Sequence, residues 1–329
     1  MPIHVRAPGR VNLIGEHTDY NGGLVFPMSI DRWTEIVGEA SDRIHLNSES
    51  EDLAVDLELD EPFDATLEPR WGRYVAAVSS LVRPTSGIDG LVTTTIPVGA
   101  GLSSSASLEL AVALALGFAG TPTELAQLGQ RAEHLATSVP TGIMDQLCIA
   151  ASTAGHALML DCHTLEFEHV PVPDDVEIVV RFIAHRTLEG SEYTDRVEQC
   201  RAAEAAIGPL RSAGLDRVAE LGGVVARRAR HVITENARVL EFAAALRAGD
   251  YASAGDAMVR SHRSMAEDFE ISTPAMDAAV DALLEHPAVH GARMTGGGFG
   301  GCVIAMCERG ADLEGWKVRP VEGARRLEV

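Results

Sequence analysis

"PVGAGLSSSAS", residues 97–107, separates the apolar run "GLVTTTIPV" (90–98), which predicts a strand, from "LELAVALAL" (108–116), which predicts a helix. Its glycines let the backbone curl, and successive N–H groups at a helix start, with several hydroxyls beside them, form an anion site that suits a phosphate. The lysine of G-x-x-x-x-G-K-[ST] is absent, and G-x-G-x-x-G fails because its third glycine would be Ser104. A helix N-cap needs only one hydroxyl, and three consecutive serines after two glycines exceed that need. The segment predicts a phosphate loop of neither familiar type.

Upstream of the loop the chain reads as β-rich, with strands over "IHVRAPG" (3–9), "GLVFPMSI" (23–30), "TEIVGEA" (34–40) and the alternating "LAVDLELD" (53–60). Apolar residues at Trp71, Tyr74, Val75, Val78, Leu81 and Val82 mark one face of a helix that Pro84 stops. A Pro-started helix follows over 122–139, then strands over 156–162 and 177–184. "VPVPDD" (170–175) between those strands sets the expected boundary of two units, 1–172 and 173–329. The second unit reads as helices over 193–207, 229–249, 251–269 and 273–286, then strands over "GARMTGG" (291–297), "CVIAM" (302–306) and "WKVRPV" (316–321). Strands and helices mix without regular βαβ alternation, so the fold class is α+β.

With 27 Lys+Arg against 48 Asp+Glu, the net charge of −21 repels polyanions and argues against nucleic acid as a partner. No apolar stretch approaches the roughly 18 residues of a membrane span, and the start shows no signal-peptide pattern, so the expectation is a soluble, cytoplasmic protein with no membrane partner. Five scattered cysteines with no C-x-x-C indicate neither a disulfide framework nor a zinc site.

Three further segments stand out. "MTGGGFGG" (294–301) satisfies G-x-G-x-x-G formally, yet the strand pattern after it removes the helix a dinucleotide site requires, leaving a hairpin or a close backbone approach. "PTGIMDQ" (140–146) places Asp145 among apolar neighbours, either as a helix N-cap or as a carboxylate able to accept a hydroxyl proton. "GRVNLIGEHTDYNGG" (9–23) has the composition of a polar turn, and His17 with Asp19 is a weak metal pattern; Arg10 at a strand end speaks against a plain turn.

In the order "APGRVNLIGEHTDYNGG", "PVGAGLSSSAS", "TGIMDQ", "MTGGGFGG", the chain resembles the galactokinases of the GHMP kinase superfamily, and the likeness runs through "MLDCHTLEFE", "GSEYTDRVEQCRAAEAA" and "SHRSMAEDFEISTPAMD" over nearly its whole length. The resemblance implies an N-terminal domain like the second domain of ribosomal protein S5, a C-terminal ferredoxin-like domain, and an active site in the cleft between them. It implies transfer of the ATP γ-phosphoryl to the anomeric hydroxyl of galactose with Mg²⁺. By the family pattern Asp145 lies near the attacking hydroxyl and Arg10 near the transferring phosphoryl. Glu16, His17 and Asp19, with Gly142 and Tyr193, hold the sugar. Gly99, Gly101, Leu102, Ser103, Ser104 and Ser105 wrap the nucleotide phosphates, Ser104 neighbours Mg²⁺, and Gly297 closes that site. The molecule is expected to be a monomer or weak homodimer.

Two departures stand against the family pattern. "ERGADLEGWKVRPVEGARR" (308–326) leaves no room for a helix before the last strand, and "AHRTLEGSEY" (184–193) lacks the asparagine-rich run common there. Anomeric kinases of arabinose, galacturonate or N-acetylgalactosamine are the alternative reading, and a non-catalytic sugar and ATP sensor is the next. By resemblance Glu16 and His17 lie near the C6 hydroxyl, which favours galactose over a pentose.

Overall fold

The computed structural model describes residues 2–185 and 191–328. Its N-terminal half is built on a six-stranded sheet in the order Arg325–Arg326, Pro2–Asn12, Pro27–Ser41, Gly87–Thr94, Arg43–Ser48, Val55–Glu58. All pairs are antiparallel except Arg43–Ser48 with Gly87–Thr94, which are joined through Val55–Glu58 and the helix Gly72–Val82. The two strands expected over 23–30 and 34–40 divide differently. Leu24–Val25 pairs with His156–Asp161 in a separate three-stranded sheet, while the chain from Pro27 runs unbroken to Ser41 along Pro2–Asn12. A register shift between Pro8 and Gly9 lets the long pair keep its apolar residues inward past the kink. Strands Arg43–Ser48 and Phe167–Pro171 lie where no strand was expected.

Four helices, Gly72–Val82, Ser104–Ala115, Pro122–Thr137 and Met144–Ala151, cover the inner face of this sheet, packing Val75, Val78, Leu110, Leu128 and Leu147 against Val5, Ile36, Ile44 and Ile88. Each boundary has a local cause. Thr121 and Glu124 form a capping box before Pro122, and Arg83 ends the first helix in the left-handed region ahead of Pro84.

The C-terminal half carries an antiparallel sheet in the order Val289–Thr295, Gly301–Glu308, Val176–Ala184, Trp316–Val318. One face takes the helices Ser191–Ile207, Gly223–Ala248, Tyr251–Glu267 and Pro274–Leu284 through Cys200, Val232, Met265 and Val280. The other face, through Ile178, Val180, Ile304 and Met306, shares a core with Val11, Phe26, Met28 and Ile30 of the N-terminal half. Burial on both faces explains why "CVIAM" has no polar alternation.

No helix intervenes between Glu308 and Trp316, as the sequence foretold. Residues 319–327, expected to belong to the second unit, instead run back over the first. Val321 N–H donates to Ser29 O, Gly323 N–H to Ser152 O and Ala324 N–H to Ile149 O, and Arg325–Arg326 pairs with Val5 and Arg6. The Arg326 guanidinium donates to Leu114 O at the end of the helix Ser104–Ala115, where a cation suits the helix dipole.

Candidate active site

The strand Pro2–Asn12 delivers Arg10 beneath the loop 97–107. Arg10 as a residue is 2% exposed, and all three nitrogens of its guanidinium are engaged: Nη1 donates to Gly101 O at 2.8 Å, Nε to Asp145 Oδ1 at 2.6 Å, Nη2 to Asp145 Oδ2 at 2.5 Å. Burial is the largest single influence and opposes the cation, but the charge and hydrogen bonds of Asp145 together with the Glu16 charge outweigh it and hold Arg10 above its ordinary pKa. Asp145 sits in the first turn of Met144–Ala151, and Ile143, not Asp145, occupies the N-cap position. The capping alternative is thereby excluded: the carboxylate turns to Arg10 and to the Ser103 hydroxyl, 2.5 Å away.

Two cavities flank this pair. The larger, ≈ 420 Å³, is lined by Gly99, Gly101, Ser103, Ser104 and Ser105 at one end and by Trp71, Tyr74, Val98 and Leu108 elsewhere, a size and a mixture of backbone, hydroxyl and apolar surface typical of a small-molecule site. Leu102, expected among the loop's ligand contacts, lines neither cavity. Its side chain is a buried core residue and its carbonyl accepts from Arg10 N–H, so it anchors the loop instead. Arg70, Ser48, Ser50 and Thr34 also line this cavity, and no motif announced them.

The smaller pocket, ≈ 40 Å³, brings together Arg10, Glu16, His17, Asp19, Gly142, Asp145, Tyr193 and Gly297, with Glu133, Thr141, Met144 and Gly296 not foreseen. Gly142 is there for lack of a side chain, since a Cβ on it would lie 1.9 Å from Asp19 Oδ2. Burial, reinforced by the Asp145 charge, pushes the Asp19 carboxyl up to about 7. His17 is surrounded by Tyr20, Tyr193 and Phe269. Its Nδ1 meets Tyr20 OH at 2.8 Å and its Nε2 meets Gly297 O at 3.2 Å, so both ring nitrogens have partners within the protein. The glycine-rich hairpin between Val289–Thr295 and Gly301–Glu308 reaches this pocket and not the larger cavity. Gly296 N–H donates to Glu16 Oε1 at 2.7 Å, and Gly298, in the left-handed region, lies where a Cβ would strike Ile271.

Glu133, Thr141 and Asp145 line both cavities. Glu133 Oε1 accepts from Ser105 at 3.1 Å, and its Oε2 from Thr141 at 2.9 Å and Gln146 at 2.8 Å. Gln146 also reaches the buried Glu109. Burial raises both glutamates, Glu109 further through Glu133 and Glu133 further through Asp145. Among the described residues no three His, Cys, Asp or Glu side chains gather as a ready metal site. Residues 186–190, the core of the "AHRTLEGSEY" departure, lie outside the described residues.

Residues 1–39 match the galactokinase galactose-binding signature, residues 72–153 the GHMP kinase N-terminal domain and residues 242–315 the GHMP kinase C-terminal domain. The galactokinases of Bos taurus and Homo sapiens are each 42% identical to this chain, over 94% of its length and 84% of theirs. Lactococcus lactis galactokinase complexed with galactose superposes with a TM-score of 0.91 at 30% identity, covering 99% of this chain and 95% of that one. Methanococcus jannaschii mevalonate kinase shares the fold, with a TM-score of 0.71 at 20% identity over 98% of this chain and 99% of its own. With galactokinases at this identity over most of both chains, the chain belongs to the galactokinase family of GHMP kinases.

Proposed function

We infer that this protein transfers the γ-phosphoryl of ATP to the anomeric hydroxyl of galactose, giving galactose 1-phosphate. The junction carries the reading: Glu133, Thr141 and Asp145 border both cavities, so a phosphate chain in the loop 97–107 and a sugar against residues 16–19 meet over Asp145. Asp145 Oδ1, with Arg10 Nε as its recorded donor, has lone-pair capacity for the attacking hydroxyl. Arg10 keeps that carboxylate oriented and covers charge on the phosphoryl oxygens during a loose transfer. Glu16 and Asp19 take sugar hydroxyls, Gly142 lets Asp19 approach, and His17 with Tyr193 and Gly297 shapes the wall.

Gly99, Gly101, Ser103, Ser104 and Ser105 receive the phosphates, and Trp71 with Tyr74 the base. Ser104 and Glu133 offer the hard oxygen donors that Mg²⁺ takes alongside phosphates. Burial and the Asp145 charge both oppose ionisation of Glu133, and a cation at this corner would relieve both. Bound there with the nucleotide, Mg²⁺ would neutralise phosphate charge. We keep the division of the chain at 172/173, with the tail from Arg319 returned to the first unit. Five free thiols suit the cytoplasm, and among the described residues no helix is long and apolar enough to cross a membrane.

ADP release with ATP and Mg²⁺ across galactose, 2-deoxygalactose, galactosamine, N-acetylgalactosamine, galacturonate, arabinose and glucose tests class and substrate together. Turnover highest with galactose is expected. Sugar binding without ADP release, or another sugar preferred, overturns the assignment.

A further inference from the structure

Behind the smaller pocket lies a buried ionic cluster that reaches it through Glu16. Arg293, on Val289–Thr295, is 0% exposed. Its Nη1 donates to Asn12 O at 3.3 Å, its Nη2 lies 3.2 Å from Met265 Sδ, and its Nε has no hydrogen-bond partner among the described residues. Two buried carboxylates stand at ion-pair distance, Glu16 Oε1 at 3.7 Å and Glu235 Oε1 at 3.9 Å. So poorly hydrogen-bonded a buried cation is weak support for folding, because desolvation costs as much as such pairing returns. Its charge calls for another use.

Glu235 already has its own partners: Arg238 at 2.7 Å, the Ser261 hydroxyl at 2.5 Å and Gly15 N–H at 2.9 Å. Arg10 is engaged by Asp145. Arg293 also acts on Glu235, though less than Arg238 does, and on Glu16 it is the largest influence opposing the burial that pushes that carboxyl above its ordinary range. The other groups around the cluster are His231, whose Nε2 meets Glu16 O at 3.1 Å, and His262, whose Nδ1 accepts from Met294 N–H; burial lowers both, His231 to about 4. Gly296 N–H and Thr295 Oγ1 both donate to Glu16 Oε1, the oxygen nearest Arg293, which turns Oε2 away from that side. We propose that Arg293 is a positioning residue for the sugar pocket: it sets the charge and direction of Glu16 from behind, without touching the substrate. The inference rests on reading that pocket as the sugar site.

The test compares wild type with Arg293→Met and Arg293→Lys, measuring KM for galactose and for ATP between pH 6 and 9. In Arg293→Met the galactose KM at neutral pH is expected to rise about tenfold or more, the loss of a charge-assisted hydrogen bond, while the ATP KM stays put. That rise should shrink as pH increases and Glu16 regains its charge, and Arg293→Lys should restore most of the wild-type value. Parallel increases in both KM values, or a galactose effect independent of pH, overturn the proposal. Infrared spectra of glutamate-labelled protein, with Glu16→Gln identifying the band, read the carboxyl without any sugar. Glu16 ionised at neutral pH in wild type and protonated in Arg293→Met is the expected result. A neutral Glu16 in wild type overturns the proposal even where the Met variant fails to fold. Wild type inactive on galactose with these spectra intact would instead refute the sugar assignment.

Discussion

The larger cavity takes its lining from Thr34 to Asp145, within the N-terminal half, whereas the smaller pocket draws on Arg10 and Asp145 from one half and on Tyr193, Gly296 and Gly297 from the other. One is shaped inside a single packed unit; the other exists only while two units stay docked. Under the proposed assignment of the two cavities, the difference makes nucleotide and sugar affinity separable, because they depend on different interfaces. A change in the C-terminal half should reach the sugar and leave the nucleotide alone.

The residue common to both sides gives the largest expected effect. Asp145→Asn should lower kcat by about 10²–10⁴-fold if the carboxylate takes the hydroxyl proton, with both KM values little changed, as read by steady-state ADP release. Near-normal kcat in a folded variant would leave Asp145 an orienting role only. Next comes Gly142→Ala, whose methyl displaces Asp19. We expect the galactose KM to rise by at least about tenfold and the ATP KM to stay within about twofold, and a matching ATP effect would erase the contrast between the two sites. Trp71→Ala should do the reverse, weakening ATP by about tenfold through a lost aromatic contact while galactose is unaffected; titration of each ligand by calorimetry measures both.

The smallest effect concerns stability. Asp19 goes from its ordinary 3.8 to about 7 on folding, so between those values the native state holds the extra proton. Its contribution is fully present below 3.8 and is lost as pH rises through about 7. Asp19→Asn should therefore flatten the fall in Tm of the ligand-free protein across that window and raise Tm modestly at pH 8, at the expense of sugar binding. An unchanged slope in thermal melts would show that Asp19 is ionised in the empty pocket.

The parts of the site that were legible in the sequence are those in which the backbone itself is constrained. Three serines after two glycines announce a loop that borders a cavity, and five glycines in six residues announce a turn, because such runs free the backbone. Which cavity the turn serves was not legible, since that depends on how two sheets dock, and Gly297 accordingly lies beside His17 and not beside the phosphate loop. Trp71 and Tyr74 were visible only as a helix face, for a periodic stripe reads the same whether it meets a core or lines a cavity. Strand Arg43–Ser48 escaped notice because "RIHLNS" is short and carries polar residues on its outer side. The engagement of Arg10 with Asp145, 135 residues apart, belongs to the fold alone.

The returning tail has a consequence for biosynthesis. Arg325–Arg326 pairs with Val5 and Arg6, which are made long before it. During translation that stretch presents unpaired N–H and C=O groups, the template on which a second nascent chain can add. Once it emerges, the stretch Arg325–Arg326 withdraws this aggregation-prone seam, and a variant lacking residues 319–326 keeps Arg10 and Asp145 but exposes it.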